Sequence, residues 1–130
     1  MGAHHVVSTG DANAMAKIKG SLNFILSTVN VTLDWPGVLD TLGPKGKLHV
    51  VGAVLEPMAI PAFSLIGGAK GVSGSPLGSI ATTRRMLDFC VRHNIKPVVE
   101  EFPMSRVNEA MARLESGKAR YRIVLKNDWK

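Results

Sequence analysis

The sequence is short of the residues on which several kinds of site depend. Cys90 is its one cysteine among 130 residues, so no disulfide forms within the chain and a reducing compartment is expected. Aromatic residues make up only 5%, and the apolar runs are too short for a membrane span. The first residues show no basic segment followed by a long apolar one, so no signal peptide is expected. The predicted location is cytoplasmic.

Acidic residues are outnumbered, which gives a formal net charge of +6 and a pI near 9.8. A basic balance is compatible with nucleic acid, a membrane surface or a phosphorylated cofactor as partner. The lysines and arginines are scattered, however, and no run of five occurs. Nucleic-acid binding therefore has only net charge in its favour, and solvated faces are the prediction.

The residue patterns of metal, phosphate and nucleophile sites are also missing. His4 and His5 are adjacent and point to opposite faces of an extended chain, so they cannot easily share one ion. The glycine-rich residues 67–71 match no phosphate-binding motif and are predicted to form a tight turn. Cys90 falls on the apolar side of a helical pattern, which favours a core position over a nucleophile.

Apolar segments with strand and helix periodicity alternate along the whole chain. Strands are predicted at 6–7, 22–29, 48–53, 72–75, 98–103 and 121–125. Helices are predicted at 12–19, from residue 34 to 42, at 62–66, at 80–93 and from 105 to 116, with N-caps at Asp11, Asp34, Ser79 and Ser105. This alternation indicates an α/β fold with a parallel sheet.

Three predicted strands end in small residues, at 27–29, 51–53 and 73–75. Ligands of open parallel sheets bind beyond the carboxyl ends of the strands. Small residues at those ends let a flat ring approach the backbone, although small residues also simply form turns. The pattern therefore indicates, without establishing, a ligand site at this edge.

An ordered series of segments carries a family resemblance over nearly the whole chain. The segments are Gly-Ala-His-His-Val-Val-Ser near the start, Phe-Ile-Leu-Ser-Thr-Val at 24–29, Gly-Lys-Leu-His-Val-Val-Gly-Ala at 46–53, Gly-Ser-Pro-Leu-Gly-Ser at 74–79, Met-Leu-Asp-Phe-Cys at 86–90 and Val-Asn-Glu-Ala-Met-Ala-Arg-Leu at 107–114. In this order they resemble the C-terminal part of the zinc-dependent medium-chain alcohol dehydrogenases, in the cinnamyl-alcohol-dehydrogenase-like branch.

The resemblance implies two regions. Residues 1–95 would be the last part of an NADP-binding Rossmann domain, and 96–130 a segment that returns to the catalytic domain. In the family, the zinc ligands and the glycine-rich coenzyme loop lie upstream of the matching region, and none is present here. No catalytic or metal-binding residue is therefore assigned in this chain.

The implied function belongs to a longer parent protein. That parent would interconvert aldehydes and primary alcohols by hydride transfer with NADP(H), while zinc polarises the carbonyl oxygen. The present chain alone is expected to be inactive. The alternative is a non-catalytic interaction or oligomerisation domain, produced by a truncated gene.

The resemblance also implies the residues that contact the cofactor. Thr28 and Val29 would line the nicotinamide ring, while the following strand ends would present backbone groups to it. The residues with that backbone role are Val51, Gly52, Ala53, Ser75 and Leu77. Arg122, or less favourably Arg120, would reach the pyrophosphate, although an exposed strand cation is an equally good interpretation of Arg122.

A doubly wound sheet has the strand order 3-2-1-4-5-6. If residues 6–7 form the third strand, the two strands between it and 22–29 are missing, which leaves a gap of roughly 10 Å. Unpaired buried backbone groups cannot persist there. Either the first strand detaches or re-pairs, copies of the chain associate, or a partner supplies the strands. The region 96–130 would expose Val98, Val99 and its last helix.

We predict that the chain is a homo-oligomer, a dimer above all, joined through the edge strand near 72–75. Size-exclusion chromatography with light scattering tests this prediction. A stable, well-folded monomer at micromolar concentration would contradict it.

Overall fold

The computed structural model describes residues 2–129, in two compact units that divide between Leu77 and Gly78. The helices in this range are α1 Ala12–Lys17, α2 Trp35–Asp40, α3 Ala62–Ile66, α4 Ile80–Arg92 and α5 Val107–Glu115. The strands are β1 Leu22–Ser27, β2 Leu42–Val50, β3 Gly71–Gly74, β4 Val99–Pro103 and β5 Arg122–Lys126. The predicted α/β class is confirmed.

Three of the predicted helix caps form as expected. The Asp11 carboxylate accepts a hydrogen bond from Ala14 N (3.0 Å), and that of Asp34 accepts one from Gly37 N (3.2 Å). Ser79 Oγ accepts one from Thr82 N at 3.1 Å. These contacts span three residues, so local sequence suffices to predict them.

The first unit contains a parallel sheet with the order β1-β2-β3. Helix α2 packs on one face of it, and Pro36 lies in the first turn of that helix, where a missing N–H costs little. The core consists of Trp35, Leu39, Leu42 and Leu48, all fully buried. The middle strand β2 is therefore anchored by the helix as well as by two neighbouring strands.

The start of β2 differs from the predicted strand, which begins only at residue 48. The strand begins at Leu42, which pairs with Leu22, and the register then shifts so that Phe24 pairs with Lys47. The extra residues are accommodated by a bulge, with Lys45 at a φ of 61°. Pairing to β1 turns what reads as a loop into part of the strand.

The predicted first strand at residues 6–7 is wrong. No strand forms among residues 2–10, and the side chain of Val6 is 92% exposed. A strand requires a neighbour that pairs with its backbone, and no neighbour is present for this segment. Within residues 2–129 the segment does not re-pair with another strand, and the expected association with copies or with a partner stays a prediction.

The second unit holds β4 and β5 as a parallel pair, with α5 packed against them. The prediction that Ser105 caps the last helix is wrong. Ser105 lies in a 3-10 turn, Met104–Arg106, and both its N–H and its Oγ donate to the Asp128 carboxylate, at 3.0 and 2.6 Å. A carboxylate distant in sequence thus takes the role that the local pattern gave to the serine.

Apolar side chains of the second unit are widely exposed. Val98 and Val99 are accessible as expected, and so are Val107, Met111 and Leu114 of α5, whereas Ala110 of that helix is buried against the strand pair. Helix α4 buries no residue, and Cys90 is only half-buried, so the prediction of a core position for Cys90 is wrong. None of the helices described is long and apolar enough to cross a membrane.

The division between Leu77 and Gly78 follows packing within this chain. The boundary predicted between residues 95 and 96 concerns domains of a longer parent, and it stays a prediction.

Substituting Leu48 by alanine is expected to lower the free energy of unfolding by about 2–5 kcal/mol, because it leaves a cavity in a closed core. Leu55, which is 91% exposed, provides the matched control. Urea titration monitored by Trp35 fluorescence measures both variants. Equal losses for Leu48→Ala and Leu55→Ala would contradict the assigned core.

Glu100 joins the strand pair of the second unit to its helix. Its carboxylate accepts two hydrogen bonds from the Arg113 guanidinium (2.9 and 3.1 Å) and one from Arg120 N (2.7 Å). The Arg113 side chain, and after it the Arg120 amide, hold the pKa of Glu100 below its ordinary value of 4.5. The folded state therefore favours the ionised carboxylate.

We expect Glu100→Gln to lower Tm at neutral pH. The folded pKa is depressed, so the stabilisation is complete above about 4.5 and is lost as the pH falls through the folded pKa. The melting curves of wild type and variant should converge in acid. Glu115→Gln is the control, since Glu115 forms no ion pair within residues 2–129. A Tm difference independent of pH would argue against this role.

Candidate cofactor site

The candidate site lies where the three strands of the first unit end. Ser27 pairs with Val50, and Val50 pairs with Gly74, so the three carboxyl ends lie level. Parallel strands place these ends at one edge of the sheet, which is where α/β proteins bind ligands. Six of the eight predicted cofactor residues follow directly from these ends, and Leu77 follows a little later.

Gly52 brings the segments after β1 and β2 into direct contact. A Cβ atom at this position would lie 1.9 Å from the Val29 carbonyl oxygen and 2.8 Å from the carbonyl carbon of Thr28. Any larger residue would push the two segments apart. Glycine is required at position 52 because two backbone segments approach each other there, so the residue does more than form a turn.

Some backbone N–H groups at these strand ends donate hydrogen bonds within the sheet, and others do not. The N–H groups of Val51 and Gly52 both donate to Ser27 O, at 2.9 and 3.2 Å. Within residues 2–129, no acceptor lies opposite the N–H groups of Val29 and Ala53. A planar carboxamide needs such free donors, so the residues present fit the nicotinamide end of a dinucleotide.

Ser75 is held in place by His49, a residue that the sequence analysis did not assign to the site. The two ring nitrogens of His49 lie 2.9 Å from Ser73 Oγ and 2.9 Å from Ser75 Oγ. Register explains the contact, because His49 pairs with Ser73. The sequence did contain a signal for this contact, because His49 is the one polar side chain in the otherwise apolar predicted strand 48–53.

The remaining two predicted residues do not directly follow the end of a strand in the first unit. Leu77 is exposed and is the last residue of the first unit. Arg122 begins β5 in the second unit, and its side chain forms no ion pair within residues 2–129. Its assignment to the pyrophosphate stays a prediction, as do the ring contacts of Thr28.

Zinc does not fit the described residues. No three histidine, cysteine, aspartate or glutamate side chains between residues 2 and 129 come together as a ligand set. The segment 67–71 forms a turn after α3 and leads into β3, so no helix N-terminus follows it. Residues 2–129 therefore hold no three-ligand metal set, and residues 67–71 do not open a helix.

The family model and the most similar curated proteins both identify dehydrogenases and reductases as relatives of this chain. Residues 1–125 match the family model of the zinc-binding dehydrogenases. An aldehyde reductase, AdhA, of Synechocystis sp. is 52% identical over 125 residues, which are 96% of this chain and 37% of the relative. A mannitol dehydrogenase of Apium graveolens is 41% identical over 96% of this chain and 34% of its own length. The chain thus spans about a third of the relatives it matches.

Solved structures agree with the sequence relatives. A cinnamyl alcohol dehydrogenase of Sorghum bicolor aligns with a TM-score of 0.87 at 36% identity, over 95% of this chain and 35% of that one. CAD from Helicobacter pylori, complexed with NADP(H), gives 0.70 at 32% identity, over 85% and 33%. The predicted Rossmann-type sheet and the likeness to cinnamyl alcohol dehydrogenases are confirmed. This chain belongs to the zinc-binding dehydrogenase family.

Proposed function

We propose that this chain forms the nicotinamide side of the coenzyme site in an NADP(H)-dependent dehydrogenase that interconverts aldehydes and primary alcohols. The observation that carries the proposal is that three parallel strands end level, with the N–H groups of Val29 and Ala53 forming no hydrogen bond to residues 2–129. Similarity to an aldehyde reductase and to an enzyme complexed with NADP(H) supports the substrate class and the cofactor.

The bound dinucleotide would supply the hydride, and the chain would position it. Thr28 and Val29 would line one face of the nicotinamide ring. The carboxamide oxygen would accept a hydrogen bond from Ala53 N, while carbonyl groups at Val51 and Gly52 complete the wall. Since the N–H groups of Val51 and Gly52 already donate to Ser27 O, only their carbonyls remain for this role, and the Gly52 carbonyl also accepts a hydrogen bond from Val54 N at 3.1 Å.

Ser75 and Leu77 would contribute backbone groups from the third strand end, and Arg122 would pair with the pyrophosphate. The hydrogen bonds of His49 with Ser73 Oγ and with Ser75 Oγ hold the end of β3 beside β2, which keeps the third wall at a fixed distance. No general acid, general base or metal ligand is assigned to this chain. We therefore expect no turnover by the 130-residue chain alone.

Two further parts of the proposal concern assembly and location. Strand β3 pairs with β2 alone within residues 2–129, so its outer edge is open to a second copy. Homo-oligomerisation through residues 72–75 remains the proposed assembly. The cytoplasm remains the proposed location, in line with the single cysteine.

A chimera tests the proposed function. In it, this chain replaces the 125 matching residues of the Synechocystis aldehyde reductase. We expect the chimera to reduce aldehydes with NADPH. Introducing Gly52→Ala should lower kcat/KM about 10- to 100-fold, because the added Cβ displaces Val29 from the ring.

Gly10→Ala is the matched control, since a Cβ at Gly10 meets only Ser8 Oγ at an ordinary 3.8 Å. Thermal melts of both variants report on folding. A folded chimera without NADPH-dependent activity, or a Gly52→Ala variant as active as Gly10→Ala, would refute the proposed site.

A further inference from the structure

The segment that joins α5 to β5 has few anchors of its own. Gly117 follows the helix with a φ of 67°. The N–H groups of the next two residues form no hydrogen bond within residues 2–129. Arg120 N is therefore the first backbone donor after Gly117 that is bound, and its acceptor is the Glu100 carboxylate at 2.7 Å.

Glu100 ties this segment to the rest of the second unit. Its carboxylate also accepts two hydrogen bonds from the Arg113 guanidinium, at 2.9 and 3.1 Å, so it bridges α5 and the segment before β5. Hydrogen bonds with a charged partner are roughly twice as strong as neutral ones. Val98 O adds a second anchor, because it accepts from Tyr121 N (3.1 Å) and from Arg122 N (3.3 Å). The backbone that leads into β5 is thus fixed by acceptors on or beside β4.

The two arginines at this point differ in what their side chains contact. Arg120 Nη1 donates to Ala119 O at 3.2 Å, and its guanidinium carbon lies 5.8 Å from the centre of the Tyr121 ring. The Arg122 guanidinium forms neither an ion pair nor a hydrogen bond within residues 2–129. Arg120 is therefore engaged locally, whereas the side-chain donors of Arg122 remain available to an anion.

The charges of the strand pair favour the same arginine. Strands β4 and β5 carry two carboxylates and two cations, which are Glu100, Glu101, Arg122 and Lys126. Glu100 pairs with Arg113 and Glu101 with Lys126, so both negative charges are compensated. Within residues 2–129, Arg122 is the one charged residue of the two strands without an ion pair. Such an arginine suits a phosphate, because its planar fork of donors matches phosphate oxygens.

We propose that Glu100 is a positioning residue for the coenzyme: it anchors the segment before β5 so that Arg122, and not Arg120, reaches the pyrophosphate. This role rests on the proposed function, in which Arg122 pairs with that group. Glu100 contacts no coenzyme atom in this role and acts through the Arg120 N–H. The Arg113 guanidinium compensates the charge of the carboxylate, so the anchor does not repel the phosphates.

The chimera with the Synechocystis aldehyde reductase tests this role. Glu100→Leu removes the acceptor of Arg120 N and should raise KM for NADPH about tenfold, while kcat changes by less than about twofold. Glu101→Leu is the matched control, because it breaks an ion pair of the same strand whose partner, Lys126, lies at the far end of β5. Its KM should stay within about twofold of the parent value. Thermal melts show that each variant is folded at the assay temperature.

Three further variants separate positioning from a general loss of stability. Glu100→Gln keeps an oxygen that accepts from Arg120 N, so KM should rise only about two- to threefold. Arg122→Ala should raise KM about tenfold or more, and adding Glu100→Leu to it should raise KM no further, because the residue being positioned is gone. Arg120→Ala keeps its backbone N–H and should change KM by less than about twofold.

Hydrogen exchange on the 130-residue chain gives a readout that needs no coenzyme. The Arg120 amide should exchange about tenfold faster in Glu100→Leu than in the wild type, and at the wild-type rate in Glu101→Leu. Equal exchange of this amide in the wild type and in Glu100→Leu would overturn the anchoring role.

The kinetic outcomes distinguish this role from the proposed function. Equal KM values for Glu100→Leu and Glu101→Leu, an added effect of Glu100→Leu in the Arg122→Ala background, or a tenfold rise caused by Arg120→Ala would each overturn the positioning role. The chimera still turns over with NADPH in those cases, so the proposed function stands. A folded chimera without NADPH-dependent activity overturns both.

Discussion

In the first unit, helix α2 lies against the middle strand, and Leu39 and Leu48 are shielded from water where they meet. This burial fixes β2, and β2 in turn fixes the register of β1 and β3 on either side. The three strand ends are level only because the middle strand is held. The candidate site therefore depends on an apolar contact that contributes no atom to it.

The site itself is made of backbone more than of side chains. Gly52 allows the segments after β1 and β2 to approach, and the bifurcated acceptor Ser27 O uses the two N–H groups nearest the sheet. One residue further out, the N–H group of Ala53 forms no hydrogen bond within residues 2–129. Such a candidate site depends on the path of the backbone, so the identities of its side chains reveal little of it. That is why Gly52 reads as an ordinary turn residue until its surroundings are seen.

Local interactions made much of the fold predictable. Caps such as Asp11, Asp34 and Ser79 act over three residues, and helix α3 has the predicted bounds. The errors arise where distant residues decide. The bulge before Lys47 depends on pairing with β1, and the role of Ser105 depends on Asp128, which lies 23 residues away. Neither partner can be identified from periodicity.

The sequence by itself determined the α/β class and the family and pointed to the segments of the candidate site, because each rests on an ordered local pattern. Tertiary structure alone decided which groups are free to bind. It placed His49 against Ser73 and Ser75 and left residues 6–7 without a strand. It also buried Ser27 Oγ and Trp35 Nε1, which have no hydrogen-bond partner within residues 2–129. Strand pairing and burial bring together residues that are far apart in the chain, and a single sequence does not show which residues become neighbours in space.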